Sequence, residues 1–265
     1  MFAWTSDDLQ LLRLSVWIAA LATVATLVPA IAVATLLARR RFWGHAAVNA
    51  LVHLPLVLPP VVTGYLLLRV FGTRGPIGGW LADTLGIVFA FRWTGAVLAA
   101  AVMGFPLMVR AIRTSIEAVD PRLEEAAATL GASPAWRLLT ITLPLAAPGI
   151  LAGAILGFAK ALGEFGATIT FVSNIPGETQ TLALAIYALT QTPGGDAGVL
   201  RLAALSVAVS FAALVAADAL ARRTAVRLLE LDPGMSLATF ARRTPLQGEM
   251  RDTFIARLRA AGLSD

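Results

Sequence analysis

The sequence contains no cysteine, so neither a disulfide framework nor a thiolate metal site can form. It has only two histidines, His45 and His53, too few for a convincing metal cluster. His53 stands at the start of an apolar run, where packing or an interfacial position is the expected role. Lysine occurs once, at Lys160, between Ala159 and Ala161. A Walker loop needs Gly-Lys-Ser/Thr, so ATP hydrolysis cannot reside in this chain. The serines lack the Gly-x-Ser-x-Gly setting of an activated nucleophile, and there is no zinc-protease His-Glu pattern. Charge is scarce as well. Charged residues make up 14% of the 265 positions, where a soluble domain carries about 25%.

What is present is apolar. Hydrophobic residues reach 58% and the mean hydropathy is +0.78. Five segments are long enough to cross a bilayer as helices, at roughly 20 residues each: about 11–38, 48–71, 93–112, 145–172 and 199–221. The first is overlong, which implies tilt, and carries Pro29 as a candidate bend. The second holds Pro55, Pro59 and Pro60 and is expected to be kinked or broken inside a bundle. The N-terminus, with Asp7 and Asp8, lacks the basic region of a secretory signal, so the first span is expected to be retained.

The net charge of +5 is carried almost wholly by arginine. Arg39, Arg40, Arg41, Arg110, Arg113, Arg122, Arg137, Arg222, Arg223 and Arg227 fall on one side of the five spans. Arg13, Arg69, Arg74, Arg92 and Arg201 fall on the other. Arginines at span ends are a topology signal rather than a nucleic-acid-binding face, and the richer side is expected to be cytoplasmic. The N-terminus is then external and the C-terminus internal. Residues 72–92 read as an external loop with an interfacial helix flanked by Trp80 and Trp93. Residues 173–179 and 191–198 read as external turns, and residues 180–190 as a short helix or a re-entrant piece on the outer side. The tail, 224–265, is polar and is expected to hold one amphipathic helix with Phe254, Ile255, Leu258 and Ala261 on one face, ended by Gly262.

Between the third and fourth spans the punctuation is sharp. Asp120-Pro121 is a helix start, with an N-cap acceptor followed by proline at the first helical position. Gly131 is a helix stop. Ser133-Pro134 starts a second helix that runs through Trp136 and Leu139 towards Pro144. Ala126 and Ala127 keep one face low enough for close approach, and Glu124 and Glu125 suit the first turns electrostatically. They are also available to basic groups of a partner. On these residues alone the pair is either an ordinary loop with two stable helices or a docking element. A DNA-reading helix–turn–helix is disfavoured, because Arg137 is its sole base and the second helix enters a membrane span.

The pattern Glu125-Ala126-Ala127, three residues, Gly131, nine residues, Ile141, one residue, Leu143-Pro144 resembles the cytoplasmic motif of bacterial binding-protein-dependent ABC importer permeases. That resemblance implies an all-α, polytopic membrane helix bundle of the type I importer fold, with about five transmembrane helices and two short coupling helices within 120–144. It implies that Glu125, Ala126, Ala127 and Gly131, with Glu124 beside them and Leu143 and Pro144 at the edge, engage an ATPase subunit. Over roughly residues 8–223 the chain is similar to molybdate permeases, through the phrases His53–Tyr65, Gly104–Arg110 and Leu162–Thr179. The resemblance implies a homodimer in the bacterial inner membrane, an ATPase dimer that supplies the ATP and magnesium sites, and a periplasmic molybdate- or tungstate-binding protein. Sulfate permeases are the near alternative. No catalytic residue, resident cofactor or nucleic-acid partner is expected.

Inside the fourth span, Lys160 and Glu164 stand four residues apart, on one helix face. Intramembrane charges usually face a bundle interior or a cavity, so the pair either flanks an anion path or braces the helices. Gly149, Gly153, Gly157 and Ala161 form a small-residue stripe suited to helix packing. Gly166, Thr168, Thr170, Ser173 and Asn174 are candidate neutral donors for a passing oxyanion. A membrane-embedded enzyme would need clustered acids, histidines or a nucleophile, which Lys160, Glu164 and Asp218 do not form. A gradient-driven secondary transporter would show internal repeats, and none is evident.

Overall fold

The computed structural model describes residues 5–231 and position 256. The expected tail helix therefore lies outside the described residues, save that one position. Every regular element described is helical.

The first helix, α1 (Ser6–Arg39), begins with a capping box. The Thr5 hydroxyl accepts from the Asp8 amide at 3.2 Å, and the Asp8 carboxylate accepts from the Thr5 amide at 2.9 Å. The helix continues through Pro29 to Arg39. Its 34 residues rise about 51 Å, well beyond the ~30 Å of a hydrocarbon core.

A broken pair follows, α2 (His45–Val57) and α3 (Pro60–Phe71), bent by 114°. Leu58 precedes Pro59 and is extended, as the clash with a following proline ring requires. The pair nevertheless crosses the bundle. Asn49 of α2 meets Arg113 near one end of α5 (Trp93–Ala118), and Phe71 of α3 packs edge-to-face on Phe89, just before the other end. The short α4 (Pro76–Leu85) lies in the intervening loop, started by Gly75-Pro76 and ended by Gly86 at φ +67°.

α5 is the centre of the bundle. In its span 61% of residues are buried, against 22% in α1. Small residues let its neighbours approach. A Cβ at Gly153 of α8 (Leu143–Leu162) would come within 3.1 Å of the Met108 carbonyl oxygen, and one at Gly104 within 3.1 Å of the Gly157 carbonyl oxygen. The glycine stripe of the fourth span is thus a packing surface against α5.

The expected fourth span of 145–172 is not one helix. α8 ends at Leu162, and a separate α9 (Gly166–Val172) follows a three-residue break. α9 lies tightly on α3, where a Cβ at Gly64 would sit 2.5 Å from the Ala167 carbonyl oxygen. Next comes α10 (Leu182–Thr190), nine residues and about 14 Å long, too short to cross a membrane. It is held at the start of α1, where the Leu182 amide donates to Ser15 Oγ at 2.8 Å. α11 (Asp196–Leu231) starts at that same end, fixed by an ion pair of Arg201 with the buried Asp8 at 2.8 Å. Among the described residues four helical stretches are long and apolar enough to cross a membrane, in α1, α5, the run from α7 (Pro134–Arg137) through α8, and α11, and the bent α2–α3 pair makes a fifth if it is one broken span.

Candidate functional site

Two helices stand at the end where α1 and α5 finish: α6 (Pro121–Thr129) and α7 (Pro134–Arg137). Asp120 caps the first, accepting from the Arg122 amide at 2.9 Å. Its exit is a Schellman turn. Gly131 has φ +84°, its amide donates to the Ala128 carbonyl at 3.0 Å, and the Ala132 amide donates to the Ala127 carbonyl at 3.0 Å. Ser133 then caps α7, accepting from the Trp136 amide at 3.3 Å. The helix does not stop. It passes through a π-helical turn, Leu138–Thr142, directly into α8. A rigid rod therefore links this surface to the membrane interior.

The two acidic residues at the start of the motif have different surroundings. Glu125 and Ala126 are exposed, and Ala127 is half-buried. Glu124 turns inward. Its Oε1 receives Arg39 Nη2 at 2.7 Å and the hydroxyl of the buried Thr142 at 2.7 Å. Arg137 donates to the Glu124 carbonyl oxygen at 3.3 Å, and Arg39 also donates to the Val119 carbonyl oxygen at 3.3 Å. Glu124 thus ties α6 to the end of α1 and to the π turn. Arg39 and Thr142 are the members of this network that sequence reasoning missed, because nothing local marks them. Leu143 is half-buried and Pro144 exposed, at the head of α8. The same short stretch exposes the apolar side chains of Leu123, Leu130, Trp136 and Leu139, with Leu130 89% exposed. Large apolar side chains grouped at a helix-capped, polar end mark a contact face.

The second candidate group lies at the α8–α9 break. Lys160 and Glu164 do pair, but Glu164 stands beyond the helix end rather than on the helix. It is 3% exposed, and its other oxygen accepts from the Ala167 amide at 3.0 Å, capping α9. The carboxylate is therefore a strut between two helices. The expected neutral donors differ in their surroundings. The Thr170 hydroxyl donates to the Gly166 carbonyl at 2.9 Å, Thr168 is buried, and the Ser173 carbonyl accepts from the buried Thr179 at 3.1 Å. A Cβ at Gly166 would reach Pro60 Cβ at 2.7 Å, so this glycine serves helix packing. Ser173 holds φ +64°, and the side-chain oxygen of Asn174 is buried without a hydrogen-bond partner. Among the described residues no group of three or more His, Cys, Asp or Glu gathers as a metal site.

The comparisons with known proteins agree with this architecture. Residues 6–226 match the family described as binding-protein-dependent transport system inner membrane component. The chain is 56% identical over 219 residues to the molybdenum transport system permease protein ModB of Escherichia coli K12, covering 82% of this chain and 95% of that protein. It is 52% identical over 222 residues to the protein of the same name from Haemophilus influenzae, covering 83% and 96%. Its fold is similar to a chain in the crystal structure of a bacterial ABC transporter involved in the import of the acidic polysaccharide alginate. That match has a TM-score of 0.66 at 17% identity and covers 83% of this chain and 80% of the other. Family match, relatives and fold concur: the chain belongs to the binding-protein-dependent ABC importer permeases, multi-pass proteins of the inner membrane.

Proposed function

We propose that this chain is the permease subunit of an ATP-driven importer that carries molybdate, with tungstate as a close analogue, by alternating access. Two copies form the pathway, two ATPase subunits bind the α6–α7 surface and supply the ATP and magnesium sites, and a periplasmic binding protein delivers the oxyanion. The N-terminus is external, and the end bearing α6 is cytoplasmic. The observation that carries this reading is the exposed Glu125-Ala126 step on a helix pair that also exposes Leu123, Leu130 and Trp136 and continues without interruption into α8. The names and identities of the curated relatives favour molybdate as cargo.

The mechanism follows from mechanical continuity. A push on α7 passes through the π turn into α8, and α8 is packed on α5 through glycines that leave no slack. Glu124, Arg39 and Thr142 make α6 move with the end of α1. Closure of the ATPase pair then rotates packed rods rather than bending a loop, which is how small shifts become a change of access. At the far end of α8 the Lys160–Glu164 strut carries the displacement to α9, which lies on α3.

The test is vesicle uptake of labelled molybdate with the ATPase and binding protein present. Glu125→Arg leaves the fold intact, because Glu125 is exposed. It is expected to lower ATPase co-purification and uptake by roughly tenfold or more, the scale of one misplaced charge at a buried contact. Full uptake in this variant would refute the docking role. Competition by sulfate as strong as by molybdate would move the cargo to sulfate.

A further inference from the structure

Away from the coupling surface, a cleft of about 290 Å³ opens between α2 and α5. Two helical faces line it. Asn49 and His53 are one turn apart on α2, and Arg110, Arg113, Thr114 and Glu117 share one face of α5.

The polar groups here are organised by one another. Arg113 is held on two sides, with Nε to the Glu117 carboxylate at 2.7 Å and Nη1 to the Asn49 carbonyl oxygen at 3.0 Å. That bond turns the side-chain amide NH2 of Asn49 away from Arg113. His53 Nδ1 lies 2.8 Å from the Asn49 backbone oxygen, an acceptor only, so Nδ1 carries the proton and donates. The Thr114 hydroxyl is spent on the Arg110 carbonyl at 3.0 Å. Glu117 neutralises Arg113. Arg110 is exposed and has no ion-pair partner among the described residues. The cleft therefore carries net positive charge, with the five N–H donors of Arg110 unclaimed among the described residues. Arg110 sits two turns inside the end of α5, with its side chain exposed beside the cleft.

We propose that this cleft holds a tetrahedral oxyanion. Arg110 provides the charge and a planar fork that matches two oxygens of such a group. Arg113, fixed in place by Asn49 and Glu117, provides the second guanidinium edge, and the Asn49 amide a neutral donor. The volume is near ten times the ~30 Å³ share of a liquid water, so an oxyanion enters together with several waters. A wet, single-net-charge site binds without trapping, which suits an ion on its way through. The chemistry is shared by a free oxyanion and by the phosphate of a lipid headgroup. The choice of molybdate as the probe rests on the importer reading, whereas the cleft itself does not.

The experiment uses the permease purified with its ATPase in a maltoside detergent, without the binding protein. Binding of labelled molybdate is measured by equilibrium dialysis, with and without added phosphatidylglycerol. Arg110→Gln is compared with Arg74→Gln, which removes the same charge from an exposed loop. Melting temperatures confirm that both variants are folded, and Arg110→Lys checks whether charge alone suffices. A free-oxyanion site predicts saturable molybdate binding, weakened roughly 10- to 100-fold by Arg110→Gln and unchanged by Arg74→Gln, the scale of one charged hydrogen-bond donor. Sulfate is expected to compete and nitrate, which is planar, to compete poorly. A lipid source predicts no molybdate binding and phosphatidylglycerol retention that depends on Arg110. Binding of both ligands that is indifferent to Arg110→Gln would overturn the proposal. ATP-driven uptake by the wild type in parallel vesicles separates the two failures. Uptake that is intact in the wild type and equal in Arg110→Gln removes the cleft from the route while leaving the importer. Absent wild-type uptake removes the importer reading for molybdate.

Discussion

At the α6–α7 hairpin the chain leaves a helix through Gly131 at φ +84°, and at the α8–α9 junction it leaves one at Gly163 with φ −92°. Both breaks contain a glycine and a nearby acid, yet different forces make them. The hairpin is local. Its glycine occupies the left-handed region, two backbone bonds close the Schellman turn, and Asp120 and Ser133 cap the flanking helices. The junction is tertiary. Gly163 adopts an angle open to any residue, and the chain turns because Glu164 finds Lys160 on one side and the Ala167 amide on the other. A local break survives the loss of its surroundings, whereas a tertiary break depends on a buried carboxylate keeping its partners.

The strongest way to break this comparison is Glu164→Leu. It strips Lys160 of its partner and the Ala167 amide of its acceptor in a buried site. Lys160 is partly exposed and water can serve it, so a loss of about 1–3 kcal/mol is expected, chiefly from the buried Ala167 amide left without its acceptor. Thermal unfolding followed by size-exclusion fluorescence should show a drop in melting temperature. An unchanged melt would mean that the junction, too, is made locally. Glu164→Gln keeps an acceptor for Ala167 and should recover part of the loss.

Glu124→Ala probes whether the hairpin is as independent as its backbone suggests. It removes the contacts to Arg39 and Thr142, so roughly 1.5–3 kcal/mol is expected. The readout is faster proteolysis between α5 and α8, with little change elsewhere. If cleavage is unaffected, the α6–α7 pair holds itself without α1.

The two glycines separate the cases more finely. Gly131→Ala forces a Cβ into the left-handed region, at about 1–2 kcal/mol. Gly163→Ala meets only the Ala159 carbonyl oxygen at 3.8 Å, an ordinary contact, and should stay within about 0.5 kcal/mol. Paired melting curves in one detergent decide it. Equal shifts would erase the distinction between the two breaks.

The same distinction explains how much of the fold was legible. Long apolar runs marked α1, α5 and α11, because about 20 apolar residues suffice to identify a crossing. The proline cluster marked the broken second span, since Pro59 forbids a helical Leu58. Caps and the glycine stop placed α6 and α7 closely, because those signals act within four residues. The fourth span ends ten residues before its expected end, since Gly163 and Gly166 only weaken a helix and the break depends on Glu164 meeting Lys160 and the Ala167 amide. Lys160 and Glu164 were seen as a pair through their spacing, but spacing cannot say that Glu164 also caps the next helix. Glu124 and Glu125 looked alike in sequence, and only Arg39, about 85 positions upstream, tells them apart. Arg110 and Arg113 were legible as charges on one side, but their meeting with Asn49 and His53 requires two helices laid together.

The amino-acid sequence by itself determined a helical membrane chain, its apolar spans and its capped helix pair, because hydropathy, proline geometry and capping are properties of neighbouring residues. Only the tertiary structure decided which acid is a strut and which stays exposed, where the fourth span ends, and which arginines share a cleft. Those outcomes depend on which groups, far apart in the chain, find each other where water cannot serve as the partner.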